Sequence, residues 1–416
     1  MRNICCYVLL SILTCGSLKA EGFGDGRYAG NHPQAALEAA TEAIAIKADR
    51  IDTVTSGVIE NGIIVITDGR IKAIGNDIEI PDVAEVIDVP DKTIFPGIVN
   101  PSSRIGLSLP PTGGPASNPH YRVVDELYPH QDQYKRILGA GFTTMGLLPG
   151  DRGTMSYYSG YGYFFGGRSP IPGITGQGAV IRPTGNNPEE MIVAESGFIM
   201  IYFQANDKVK KVIKSALDSA KNKANSDDPK VQPLVEALEG RIPTFVVCNL
   251  PGEMLHLFEL LEPYDKMKPV LIAGIETHLV AEELAKRKIP VILPARIDFK
   301  RNTRTRINVP RLLDEVGVKI ALKPESNSVR GHEDFLMQVA ELVKSGLNRQ
   351  VAKKAITSNP AEMLAIDYRL GSLDVGKDAN LLILTGEPLD VGTKIDKVMI
   401  EGRIVYEAPW GQATDE

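Results

Sequence analysis

Between Thr93 and about residue 364 the chain switches repeatedly between two hydrophobic periods, and that switching narrows the fold more than any other feature. Short apolar runs, "TIFPGIVN", "FTTMGLLP", "TFVVCN", "PVLIAG", "PVILPA" and "VKIALKP", have the length and β-branched content of buried strands. Between several of them lie stretches of helical period, including "GEMLHLFELLEPYDK", "THLVAEELAKRK" and "VPRLLDEVG". Short strands alternating with helices imply βαβ units and a parallel sheet. This many units over roughly 260 residues favour a closed, distorted (β/α)8 TIM barrel over an open sheet, an α/β fold.

The flanks read differently. "SGVIENGIIVITDGRIKAIG" carries turn signals at Asn61-Gly62 and Asp68-Gly69 around "IIVIT", so three or four short antiparallel strands are expected up to about Pro90. After the helical stretches "EDFLMQVAELVKSG" and "NRQVAKKAITSNPAEMLAI", the runs "ANLLILTG" and "DKVMIEGRIVYE" return to strand period, with a turn at Glu401-Gly402. One small β-sandwich built from both chain ends is the economical reading. The expected division is 21–92 and 365–416 for the two parts of the sandwich and 93–364 for the barrel, after a signal peptide over 1–20.

That leader, "MRNICCYVLLSILTCGSLKA", has a positive Arg2, an apolar run from Ile4 to Leu13 and a small Ala20 before Glu21, the pattern of a secretory signal. Export to the periplasm or cell envelope is expected, with no transmembrane span; lipidation at Cys15 stays open. Cys5, Cys6 and Cys15 fall in the leader and leave Cys248 alone, which excludes an intrachain disulfide and a cysteine-based zinc site from the mature chain. A small buried thiol is the expected state of Cys248, with a nucleophile the alternative. A net charge of −6 argues against nucleic acid as the partner.

Four segments carry a resemblance: "VITDGRIKAIG", "TIFPGIVNPSSRIG", "AGFTTMGLLPG" and the long "AITSNPAEMLAIDYRLGSLDVGKDANLLILTGEPLD". In these the chain resembles the amidohydrolase superfamily, nearest its imidazolonepropionase-like and exported amidohydrolase branches; "GQGAVIR" also resembles a segment of the exported branch. The resemblance implies a barrel that hydrolyses carbon–nitrogen bonds of non-peptide or cyclic amides, with one or two divalent metals at the C-terminal ends of its strands. The implied ligands are a His-x-His pair ending strand one, a lysine or glutamate on strand four, histidines on strands five and six, and an aspartate on strand eight. Imidazole holds the ion without neutralising it, and the aspartate takes the proton of the bound water.

Carried over, the His-x-His pair falls on Ser102 and Arg104, the strand-five histidine on Val247 or Asn249, the strand-six histidine near Ala273, and the catalytic aspartate on Glu325. A serine ligates weakly at best, and an arginine, always protonated, does not ligate. None of the six histidines, His32, His120, His130, His256, His278 and His332, falls on a matched position. His256 and His278 sit in helical stretches; His120 and His130, in the loop after strand one, leave a new site open. No metal ligand is assigned, and the divalent metal of the family, zinc or another, is expected to be lost.

Alternation along a strand puts Asn100, Ser102 and Arg104 on one side, and Lys323 with Glu325 on one side of strand eight. If both sides face the interior, Arg104 pairs with Glu325 and replaces the metal's charge. With Asn249 from the implied strand-five position and Arg182 as an arginine able to bind a carboxylate, the ligand-binding candidates are Asn100, Ser102, Arg104, Arg182, Asn249 and Lys323, with Glu325 in the catalytic position. Arg168 and the aromatic, Gly-rich stretch Gly153–Gly178, which holds Tyr157, Tyr158, Tyr161, Tyr163, Phe164 and Phe165, would sit near the barrel's binding face as a lid, a docking surface or a self-packed loop. Three functional readings follow. The first is a metal-depleted pseudoenzyme that binds a small molecule or a partner, the second an active metal-dependent or dipeptidase-like hydrolase with unusual ligands. The third is an interaction subunit, a homo-oligomer or an assembly with an active paralogue.

Overall fold

The computed structural model describes residues 43–107, 116–150, 172–223 and 228–409. The expected signal peptide, His32, the three leader cysteines, Arg168 and the aromatic residues Tyr157 to Phe165 lie outside the described residues.

Four strands come first: β1 (Ala43–Asp52), β2 (Val58–Thr67), β3 (Arg70–Gly75) and β4 (Glu85–Pro96). The middle of the chain supplies β5 (Ile98–Ser103), the two-residue β6 (Ala116–Ser117), β7 (Phe142–Leu147), β8 (Gly173–Ile181), β9 (Ile192–Tyr202), β10 (Thr244–Val247), β11 (Pro269–Ile272) and β12 (Val291–Pro294). A small pair, β13 (Asp298–Phe299) and β14 (Arg306–Ile307), precedes β15 (Ile320–Lys323). The chain closes with β16 (Leu381–Leu384), β17 (Ile395–Ile400) and β18 (Arg403–Glu407).

Both ends share one sheet, ordered β18-β17-β16-β4-β1-β2-β3. Its join is β4, parallel to β1 and antiparallel to β16. A bridge between Arg70 and Asp378 brings the β3 edge back to the lead-in of β16, so the sheet curls over a core of Ile46, Ile64, Ile66, Ile71, Leu381 and Ile383. The Asp68-Gly69 and Glu401-Gly402 turns are as expected, with positive φ at all four residues. Asn61-Gly62 is not a turn; it lies inside β2, and the β1–β2 connection is made farther back, by residues 53–57. Gly62 is small for another reason: a Cβ there would meet Ile51 Cδ1 at 2.5 Å.

The second sheet runs β15-β12-β11-β10-β9-β8-β7-β5, with β15 packed beside β5 so that it nearly closes: a distorted TIM barrel. Six of its strands are the apolar runs read from the sequence. The other two, β8 and β9, come from "GITGQGAVI" and "IVAESGFIMIY", and here the all-parallel expectation fails. β8 is antiparallel to both β7 and β9. The link from β8 to β9 holds only the four-residue helix Pro188–Met191, too short for a parallel crossover, so the chain turns back on itself. The last residues of the Gly-rich stretch, Gly173–Gly178, are therefore strand rather than loop.

Helices cover the outside with apolar faces inward. Asp207–Asn222 shows the rule: Val209, Ile213, Leu217 and Ala220 are buried, the charged face is left to solvent, and Asn206 caps it by accepting the Val209 N–H at 3.0 Å. The Pro96-Gly97 entry to β5 is closed by contact: a Cβ on Gly97 would fall 2.7 Å from Thr143 Cβ, which cannot rotate away. Gly97→Ala is therefore expected to cost about 1–3 kcal/mol of unfolding free energy, read as a lower urea midpoint at unchanged slope.

Candidate functional site at the barrel mouth

Side-chain alternation in the barrel is fixed by what each strand buries. Val99, Phe198, Met200, Tyr202, Phe245, Val247, Ile272, Ile292 and Ala321 fill the interior, with the Phe198 and Phe245 rings stacked at 4.2 Å. Their neighbours Ile98, Ile201, Val246, Cys248, Leu293 and Leu322 pack outward with the helices. Two residues beyond the last interior position of each strand, alternation puts polar groups at the rim: Gln204, Asn249 and Lys323, and Arg296 two past Pro294. Cys248 is thus turned away from the mouth, 1% exposed, and burial drives its thiol pKa far upward, the state of an inert core thiol.

The polar rim is densest where β12 and β15 end. Arg296 donates to Asp298 at 2.8 Å and to Glu325 at 3.3 Å. Burial pulls the Lys323 amine down to about 8, helped by the Arg296 charge and opposed by Glu325. Burial also raises the Asp298 carboxyl, against the pull of Arg296.

The expected Arg104–Glu325 pair does not form. Arg104, 9% exposed, donates to the Leu148 carbonyl at 2.6 Å and pairs with Glu126 at 3.2 Å, while Glu325 is half exposed and pairs with Arg296. The premise of even alternation along β5 fails too. Its register with β7 shifts twice, between Ile98 and Val99 and between Asn100 and Ser103. Val99 faces the interior, whereas Asn100 turns to His332 on the helix Val329–Glu333, its amide donating to Nε2 at 3.0 Å. The Asn100 carbonyl oxygen accepts the Ser102 N–H at 3.0 Å, and the Ser103 hydroxyl donates to Asn327 at 3.1 Å. Ser102 itself is buried at the β5 end.

Arg182 is also misplaced by the sequence reading. Because β8 runs backwards, its last residue, Ile181, pairs with Met145 and Ile192 at the end of the barrel away from the mouth, and Arg182 is bound there by Glu401. Of the expected ligand-binding set, Asn249 and Lys323 lie at the rim by alternation and Ser102 and Arg104 at the β5 end; Asn100 and Arg182 face elsewhere.

The residue that sequence reasoning missed is His332. It is 1% exposed, its Nδ1 donates to the Ser328 carbonyl at 2.8 Å, and its ring meets Phe142 edge-on at 4.8 Å. Burial, with a further push from the Lys323 charge, brings it down to about 4. Its own helix offered no periodic signal, being only five residues long. Of the other described histidines, His120, His130 and His256 are exposed, the last meeting Glu259 at 3.3 Å, and the half-buried His278 bonds the Ile275 carbonyl at 2.8 Å.

Ser102, Arg104, Val247 or Asn249, Ala273 and Glu325 bring one carboxylate and no imidazole to the positions implied by the resemblance. Among the described residues no group of three His, Cys, Asp or Glu side chains is placed to hold a metal ion. The donor set does not fit a divalent cation of the family's kind.

A family model described as "Amidohydrolase family" matches residues 249–405. The chain is similar to a solved amidohydrolase from Thermotoga maritima, with a TM-score of 0.74 and 25% identity over 88% of this chain and 100% of that one. It is 21% identical to the amidohydrolase tasK of Hapsidospora irregularis, over 84% of this chain and 40% of that protein, so it spans well under half of that relative's length. A solved structure of a putative prolidase from Bifidobacterium longum shares the fold, with a TM-score of 0.51 at 17% identity, over 88% of this chain and 95% of that one. No helix among the described residues is long and apolar enough to cross a membrane.

Proposed function

This chain belongs to the amidohydrolase superfamily, and from that premise we propose that it works without a resident divalent metal, as a pseudoenzyme that binds a small molecule at its barrel mouth. The observation that carries the reading is Arg104. It stands at the second position of the implied His-x-His pair, buried, held by Glu126 and the Leu148 carbonyl. A guanidinium has no lone pair to give a metal, and it is not deprotonated near neutral pH. Ser102, at the first position, does not make up for the lost imidazoles.

What remains at the rim suits recognition rather than hydrolysis. Arg296 and Lys323 offer cationic donors, Asn249 and Gln204 offer carboxamides, and Glu325 offers a half-exposed carboxylate. Above an apolar interior this is the composition of a small-molecule site, and a carboxylate- or amide-bearing ligand would match it. The same proposal has the chain exported, to act in the periplasm or envelope, a reading supported by the signal-like pattern of residues 1–20.

Elemental analysis of protein expressed in zinc-, iron- and manganese-replete medium, paired with a screen of cyclic amides and acyl dipeptides, tests the reading. The expected result is metal well below one equivalent per chain and no turnover above background. Near-stoichiometric metal together with turnover would overturn it.

A further inference from the structure

The barrel end opposite the mouth carries a second concave feature. A cleft of about 900 Å³ opens where β10, β11, β12 and β15 begin. That is within the volume range of small-molecule sites. Five cations line it, Arg241, Lys268, Arg287, Lys288 and Lys319, against the two carboxylates Glu362 and Asp367. The local excess is positive in a chain whose net charge is −6.

The cations recur with the strand entries. Arg241-Ile242-Pro243 leads into β10, Lys268-Pro269 into β11, Lys288-Ile289-Pro290 into β12, and Lys319 directly precedes β15. Neighbouring parallel strands thus bring to one rim basic residues that are far apart in sequence. Basic residues also gather at helix C-termini to offset the dipole, which accounts for Arg287 and Lys288 at the end of the helix Ala281–Arg287. It does not account for Arg241, Lys268 and Lys319, which precede strands.

Two details distinguish the cleft from an ordinary solvated rim. Arg241, Arg287 and Lys319 have acidic partners in Glu239, Glu283 and Glu362, but no ion pair among the described residues involves Lys268 or Lys288. Lys288 also holds a left-handed backbone, φ 55°, at the helix cap. Glycine takes that conformation without the steric cost that a side chain incurs. The Arg287 guanidinium is steadied 5.2 Å over the Phe258 ring.

We propose that this cleft binds a small polyanion carrying two or more phosphate or sulfate groups. The site is independent of the barrel mouth and of whether the chain is a hydrolase. Calorimetric titration of the full chain with inorganic pyrophosphate, at constant ionic strength, tests it. The expected result is saturable one-site binding, weakened by about tenfold or more in Lys268→Glu/Lys288→Glu, as befits loss of two charge-assisted contacts. The control Lys72→Glu, an exposed change on β3, leaves binding unaltered. All three lysines are exposed, so matching thermal melts are expected to report an intact fold. Absence of saturable binding, or an equal loss in the control, overturns the proposal.

Discussion

Lys353→Met is expected to cost about 3–5 kcal/mol of folding free energy, because it leaves a carboxylate buried without its cation. Lys353 lies on the helix Arg349–Ile356, 5% exposed, with Nζ 2.5 Å from Asp52 at the end of β1 and 3.4 Å from Glu387. Asp52 is 1% exposed, and its other oxygen accepts the Val54 N–H at 3.0 Å. Two residues on, the turn is unusual: Val54, a β-branched residue, has φ 70°, and its carbonyl accepts Gln350 Nε2 at 2.6 Å from the same helix. The ion pair and that hydrogen bond therefore fasten the sheet made by the chain ends to a barrel helix.

The size of the effect comes from the orphaned charge, since a buried pair taken as a whole adds little net stability. Urea unfolding of Asp52→Leu/Lys353→Met should consequently recover most of the loss of the single variant. If the single variant stays within about 1 kcal/mol of the parent, water reaches Asp52 and the account of this joint fails.

The parts of the fold legible in the sequence were those with a local period. Strands β10, β11, β12 and β15 are apolar runs flanked by turn residues, and the helices between them have clear inward faces. The reversal of β8 was not legible, because strand direction depends on the length and path of a connection rather than on any residue in it. That one reversal carried Arg182 to the far end of the barrel. The site failed at a finer scale. A two-residue period assigned Asn100, Ser102 and Arg104 a common face, and register shifts in β5 broke it. For Arg104 the sequence gives charge and position but not partner, and Glu126, far from β15 in the chain, is closer in space than Glu325. For Asn249 and Lys323 only the position is legible: the strands before them keep strict alternation, which carries both to the strand ends.

His332 makes stability depend on pH over a window that can be stated in advance. Its Nδ1–H donates to the Ser328 carbonyl and its Nε2 accepts from the Asn100 amide, whose orientation is fixed because its oxygen is taken by the Ser102 N–H. Both ring nitrogens are thus satisfied only in the neutral imidazole. Protonation would bury a charge and set an N–H against an N–H, in line with the fall to about 4 caused chiefly by burial. The unfolded chain takes up this proton below about 6.5, the folded chain only below about 4. In between, the unfolded state binds more protons, so stability is complete above the upper value and is lost as pH falls toward the lower one. Across the whole window the loss amounts to about 3 kcal/mol. Other carboxylates titrate near the lower end, so the measurement is a comparison: urea unfolding of the parent and of His332→Gln, whose carbonyl oxygen can still accept from Asn100, at several pH values from 4 to 7.5. The parent should lose the additional stability with falling pH and the glutamine variant should not; parallel curves would mean that His332 is reached by water or protonated in the fold, and that Asn100 has a partner other than a neutral imidazole.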